Sequence, residues 1–323
     1  MTMQSRLALV GDIGGTHARF AISDIDELTI SHFVSFRCAM FQSLQAAIAA
    51  YMGSIPHRPR MAGLAIAGPV VGDHLELTNR PWRFTPGELR SAAGVEHLTL
   101  VNDFEAQALA LPYLTAHDQH RIGGGEADGR SPKVVLGPGT GLGMAALVPS
   151  PANGWTAVAS EGGHVTFPVE TAEELKIVDR LRGEPGHVSA EDLISGPAML
   201  RVYRTLAALR GQPAEAGSSV EIVRLALARE DAVAVATLDY FVKWLGRFAG
   251  DMALAFGARG GVYLGGGIVP HIVEALEQPG FRAAFDAKGE LSAFLAPIPV
   301  SVIKAGDIGL RGAAVALSMA VPA

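Results

Sequence analysis

A single cysteine, Cys38, stands in 323 residues. That excludes an intrachain disulfide framework and a Cys-rich zinc site, and it suits a reducing cytosol. Basic residues are the minority, 26 against 32 acidic, for a formal charge of −6 with no basic tract anywhere. Nucleic acid and anionic membrane surfaces therefore find no electrostatic footprint. Long apolar runs are missing as well. Leu7 to Val10 meets Gly11-Asp12 too early to be a signal peptide. The longest uncharged stretch, 27 residues between Lys133 and Glu161, is broken by five glycines and three prolines. Such a run holds strands and loops rather than a membrane helix, so a soluble chain is expected. No Gly-Lys pair occurs, which removes a Walker A loop.

What is present is core-forming material, 49% hydrophobic against 18% charged. At this length two lobes are expected rather than one. The chain also repeats a theme. Arg6 to Asp12 reads as a strand running into Ile13-Gly14-Gly15-Thr16, with Ala18 to Ile22 as the returning strand. Lys133 to Leu136 does the same through Gly137-Pro138-Gly139-Thr140-Gly141-Leu142-Gly143, returning over Met144 to Val148. Met61–Ala67 and Leu98–Val101 have the length of buried strands, and 43–52 and 103–111 read as helices. Helical spacing of Leu238, Phe241, Val242, Leu245, Phe248 and Met252 predicts a long helix over 233–256, and Gly261 to Leu264 predicts a strand ending at Gly265-Gly266-Gly267. Alternating elements argue for an α/β fold with mostly parallel sheets flanked by helices. In such sheets ligands gather at the carboxyl ends of strands, where every glycine cluster here falls.

Glycine turns at those ends suit phosphate, because bare backbone lets several N–H groups converge on one oxyanion. Gly11, Asp12, Ile13, Gly14, Gly15 and Thr16 form the first candidate, Gly139, Thr140 and Gly141 the second, and Gly265, Gly266 and Gly267 the third. Asp12 adds a carboxylate able to hold Mg²⁺ through water. Gly141 to Ala146 fits a dinucleotide pattern, but Pro149 comes too soon for the helix that pattern requires.

Asp103 is the candidate for the chemical step. Asn102-Asp103 follows a strand and opens a helix, where Asn102 can cap and the helix terminus favours an acidic charge. Capping alone explains the pair. Equally, Asp103 can accept the proton of an alcohol attacking a phosphoryl group. Glu161-Gly162-Gly163-His164 offers a carboxylate and an imidazole to a polyhydroxylated ligand. Ser189-Ala190-Glu191-Asp192 fits a capping box at a helix start, which leaves Glu191 to point elsewhere.

Taken in order, these segments resemble the ATP-dependent glucokinase family of bacteria, in its proteobacterial-type branch. Leu9 to Thr16 resembles the first phosphate motif and Gly137 to Gly143 the second. Ala65-Ile66-Ala67-Gly68-Pro69-Val70, with Leu77-Thr78-Asn79 and Trp82, resembles the segment before the catalytic strand. Val101 to Phe104, Glu161 to Val165 and Gly186 to Glu191 resemble the sugar motifs, and Leu264 to Pro270 the adenosine motif. The resemblance implies the two-lobed hexokinase/actin-like ATPase (ribonuclease H-like) fold, with lobes at 4–114 plus 305–323 and at 115–304. It implies that ATP with Mg²⁺ and D-glucose are the ligands, and that the product is glucose 6-phosphate, opening glucose catabolism. Asn102, Asp103, Glu161, His164 and Glu191 would hold the sugar, Asp103 would serve as base, and the three glycine turns would hold ATP. A cytoplasmic homodimer, with neither nucleic-acid nor membrane partner, is also implied. Sugar kinases of the repressor/open-reading-frame/kinase group usually carry a Cys-rich zinc motif, which one upstream cysteine cannot form. A sugar-sensing regulator would need a DNA-binding segment ahead of Leu7, where only a few residues stand.

Overall fold

The computed structural model describes residues 6–78, 80–151, 154–182 and 186–321. Two compact units result, Met1–Leu114 with Ser150–Ala159 and Ala305–Ala323, and Thr115–Pro149 with Ser160–Lys304. Residues 150–159, expected in the second lobe, group with the first unit.

In the first unit β1 (Leu7–Ile13), β2 (His17–Asp24) and β3 (Thr29–Arg37) run as antiparallel neighbours. Helix α1 (Leu44–Ser54), capped by the Ser43 side chain, carries the chain to β4 (Met61–Ile66). A small ribbon of β5 (Leu75–Glu76) and β6 (Arg83–Phe84) follows, then α2 (Pro86–Ala93), β7 (His97–Asn102) and α3 (Asp103–Ala110). The sheet order is β3-β2-β1-β4-β7, parallel across β1, β4 and β7. Its core gathers Leu9, Phe20, Ile48, Tyr51, Leu64 and Trp82.

The second sheet is built from β8 (Gln119–Gly123), β9 (Lys133–Pro138), β10 (Leu142–Ser150) and β11 (Gly154–Ser160), of which β11 falls in the segment that groups with the first unit. Helices α4 (Ala172–Leu181), α5 (Gly196–Arg210), α6 (Ser219–Leu227) and α7 (Ala232–Phe256) precede β12 (Val262–Leu264). The short α8 (Val273–Leu276), α9 (Pro279–Asp286) and α10 (Ser292–Leu295) then lead to β13 (Val300–Ile303). The sheet order is β11-β10-β9-β12-β13-β8. Apart from β8 this repeats the order of the first sheet, so the duplicated glycine hairpin in the sequence marks a duplicated topology. Among the described strand pairs, parallel pairing joins β9, β12 and β13, as it joins β1, β4 and β7 in the first sheet. The expectation of mostly parallel sheets thus holds for the sheet centres. The glycine hairpins are too short for a crossover, so their strands return antiparallel.

The last helix, α11 (Ile308–Ala320), belongs to the first unit. It lies so close to β4 and α3 that two glycines are obligatory. A Cβ on Gly63 would sit 2.3 Å from the Ala313 carbonyl oxygen, and one on Gly312 would sit 1.8 Å from that of Ala106.

Candidate active site

Gly14 closes the β1–β2 hairpin, its N–H donating to the His17 carbonyl at 2.9 Å. The Cys38 N–H donates to the Thr16 carbonyl at 2.9 Å, and its thiol, pushed up in pKa by burial, reaches the Gly14 carbonyl at 3.4 Å. Gly11 is required by packing, since a Cβ there would meet Leu64 at 2.6 Å. Asp12 lies opposite Arg19 in the hairpin register and accepts from its guanidinium at 2.9 Å. The first turn of α11 abuts the same carboxylate, for a Cβ on Gly309 would lie 2.8 Å from Asp12 Cγ. An acidic group at a helix N-terminus is favourable there.

Asn102 ends β7 as the cap of α3. Its Oδ1 accepts from the Phe104 and Glu105 N–H groups at 2.9 and 3.2 Å, and Glu105 returns the bond to the Asn102 N–H. Burial raises the Glu105 carboxyl, partly offset by that bond. Asn102 Nδ2 donates to the Gly68 carbonyl at 3.1 Å, which fixes the loop after β4. Gly68 has φ +141°, a conformation glycine adopts readily, and a Cβ would touch Glu76 and Thr78. The capping bonds come from the Asn102 side chain, while Asp103 occupies the first helical position, half-buried. Capping of α3 is therefore the work of Asn102. Trp82 is buried beneath the Arg80 guanidinium, 4.7 Å from its ring centre. Asn79 lies outside the described residues.

In the second unit the glycine turns interlock. The Gly265 N–H donates to the Leu136 carbonyl at 2.8 Å, and a Cβ on Gly137 would lie 2.5 Å from the Gly265 carbonyl carbon. Gly266 takes φ +81° against the Pro138 carbonyl. The Gly139 carbonyl accepts from the Gly196 N–H at 2.8 Å, setting the start of α5 beside the turn. Thr140 is exposed at its tip.

Glu191 ties this turn to the sugar-type motif. Its Oε2 accepts from the Leu142 N–H at 2.8 Å, and its own N–H donates to the Gly163 carbonyl at 2.8 Å. Gly141 makes room for that carboxylate, since a Cβ would lie 2.4 Å from the same oxygen. Gly162 and Gly163 are buried, and a Cβ on Gly163 would lie 2.0 Å from the Leu142 carbonyl oxygen. The flanking Glu161 and His164 are exposed. Beyond them Thr166 bridges Ser189, and the Val165 and Val188 carbonyls accept from Ala190 and Phe167 at 3.0 and 3.1 Å. Thus Gly139, Gly141, Gly265, Gly266, Glu161, His164 and Glu191 belong to segments in direct mutual contact.

The helix expected after Ser189 is absent. Ser189 and Asp192 do exchange the reciprocal bonds of a capping box, at 3.0 and 3.2 Å, but they close a turn. Helix α5 begins only at Gly196, where Ser195 is the cap and Pro197 suits the first turn. The short spacing to Pro197 is the physical reason. Sequence reasoning also missed Arg19, although the hairpin register alone places it opposite Asp12. It missed His187 too, whose ring lies 3.1 Å from the His164 carbonyl, and no sequence pattern signals that contact.

The family model described as Glucokinase matches residues 9–320. A glucokinase of Tolumonas auensis is 40% identical over 304 residues, covering 94% of both chains. The solved glucokinase from an Antarctic psychrotroph superimposes with a TM-score of 0.86 at 39% identity, over 98% of this chain and 100% of that one. A more distant ROK family glucokinase from Streptomyces griseus, solved with glucose and AMPPNP, shares the fold. Its TM-score is 0.66 at 19% identity, over 97% and 99% of the two chains.

Proposed function

Because the chain belongs to the glucokinase family, we infer that it transfers the terminal phosphoryl group of ATP to the 6-hydroxyl of D-glucose, giving glucose 6-phosphate and ADP. The match that runs from residue 9 to residue 320 carries this reading.

Catalysis of this transfer rests on positioning and charge neutralisation more than on covalent chemistry. Asp103 is the proposed base, orienting the attacking hydroxyl and accepting its proton. Asn102, Glu161, His164 and Glu191 are proposed to hold the remaining sugar hydroxyls. The glycine turns at 11–16, 139–141 and 265–267 are proposed to bind ATP through backbone N–H groups.

Mg²⁺ fits Asp12. One of its oxygens pairs with Arg19, leaving the other as a single hard donor, and among the described residues no group of three His, Cys, Asp or Glu gathers. A lone carboxylate suits an ion that keeps most of its water. When bound, Mg²⁺ neutralises phosphate charge.

Among the described residues no helix is long and apolar enough to cross a membrane. A cytoplasmic homodimer is the proposed setting, as in the family. The test is ATP-dependent formation of glucose 6-phosphate by the purified protein, with Asp103→Asn beside it. Loss of a base of this type lowers kcat by roughly 10²- to 10⁴-fold while glucose binding survives. Near-normal turnover in the variant would exclude Asp103 as base.

A further inference from the structure

A buried ion pair lies behind the strap that leads away from His164. The strap, residues 165–171, pairs with residues 187–190 and ends at the cap of α4. Glu174, 3% exposed, closes that cap by accepting from the Glu170 and Thr171 N–H groups at 2.8 and 3.3 Å. In the surface capping box of Thr85 with Glu88 on α2, the glutamate adds a long bond from Gln45 Nε2 at 3.4 Å. Here Glu174 also accepts from Trp244 Nε1 at 3.0 Å and from both terminal nitrogens of Arg247, at 3.0 and 3.2 Å.

Arg247, 5% exposed on α7, spreads its guanidinium along the strap. It donates to the Pro168 carbonyl at 3.2 Å, pairs with Glu170, and lies 5.5 Å from the Phe167 ring centre. Phe167 packs edge-on against Trp244, and its N–H holds the Val188 carbonyl three residues before Glu191. The carbonyl of Arg247 is itself held by Lys288, which pairs with Asp251. Burial would raise the Glu174 carboxyl, but the bonds from Arg247, the Glu170 N–H and Trp244 outweigh it and hold the carboxyl below its usual value.

Replacing such a pair by apolar groups of similar volume is often neutral or stabilising, so stability alone does not explain keeping it. It gives geometric specificity instead, because five donors on one carboxylate allow the strap a single position.

We propose that Arg247 and Glu174 are positioning residues for glucose, setting the strap between His164 and Glu191 from behind without touching the ligand. The inference rests on the reading of Glu161, His164 and Glu191 as sugar-binding. The test uses the full chain with the double substitution Glu174→Leu/Arg247→Met, which removes both charges together, and Arg247→Lys, which keeps the charge but loses the planar fork. Steady-state kinetics are run with glucose and ATP varied separately, beside thermal melts. The expected result is a cooperative melt and a glucose KM raised tenfold or more in the double variant. A smaller rise is expected in Arg247→Lys, with the ATP KM within twofold of wild type in both. A folded double variant with an unchanged glucose KM overturns the proposal, and so does a rise of equal size in both KM values. If the double variant does not fold, Arg247→Lys decides by the same criteria. His164→Ala is measured in parallel. An unchanged glucose KM there sinks the sugar-side reading itself, separately from the positioning role.

Discussion

Gly141→Ala isolates the bond between Glu191 and the second phosphate-type turn. The new Cβ would lie 2.4 Å from Glu191 Oε2, whereas ordinary contact begins near 3.4 Å. The carboxylate must therefore retreat by roughly an ångström, and its 2.8 Å bond from the Leu142 N–H does not survive that. The backbone itself tolerates alanine, since Gly141 does not take the left-handed φ of Gly266. Losing a hydrogen bond to a half-buried carboxylate costs about 1 kcal/mol, because water can take the vacated place. Alanine recovers about 0.4–1 kcal/mol by restricting the unfolded chain. Stability should thus stay within about 1 kcal/mol, a Tm change of a few degrees. Function should not be spared. A 1 Å misplacement of a positioning group costs on the order of 10²-fold, so kcat/KM for glucose is expected to fall about 10- to 100-fold. Glucose-dependent ADP formation at saturating ATP, read beside a thermal melt, gives both numbers. Unchanged kcat/KM in a normally melting variant would refute the reasoning. Gly163→Ala supplies the contrast, since its Cβ would meet the Leu142 backbone oxygen at 2.0 Å, which cannot swing away, and it should fail to fold stably.

Two further outcomes concern stability. Gly312→Ala drives a methyl to within 1.8 Å of the Ala106 carbonyl oxygen and must part α11 from α3, so a loss of at least about 1–3 kcal/mol is expected in denaturant unfolding. The folded-state pKa of Glu174 lies below the usual 4.5, so its stabilisation is present above that value and is lost as pH falls through the lower one. Melts from pH 7 to pH 3 should therefore show a steep acid limb that Glu174→Gln flattens. An equal limb in that variant would assign the acid loss to other carboxylates, such as Asp192 and Asp231, whose pKa values hydrogen bonding also lowers against burial.

The elements were legible where local chemistry decided them. Gly257, in the left-handed conformation, ends α7 where the apolar spacing stops, and Asn102 caps α3 where the strand stops. The glycine turns were legible too, because a side chain at Gly137 would strike the Gly265 backbone and one at Gly141 would displace the Glu191 carboxylate. Hidden from the sequence were the partners set by tertiary packing. Nothing local in Arg247 announces Glu174, 73 positions earlier. Ser189 misled, for its side chain makes the bonds of a cap in a segment that never becomes a helix.

Helix α11 bears on biosynthesis. The sheet of the first unit is translated before α11, so the surface of β4 and α3 that receives Gly312 and Ala313 stays uncovered until residues 308–320 have been made. A nascent chain therefore emerges with that apolar face waiting, a natural foothold for holding chaperones.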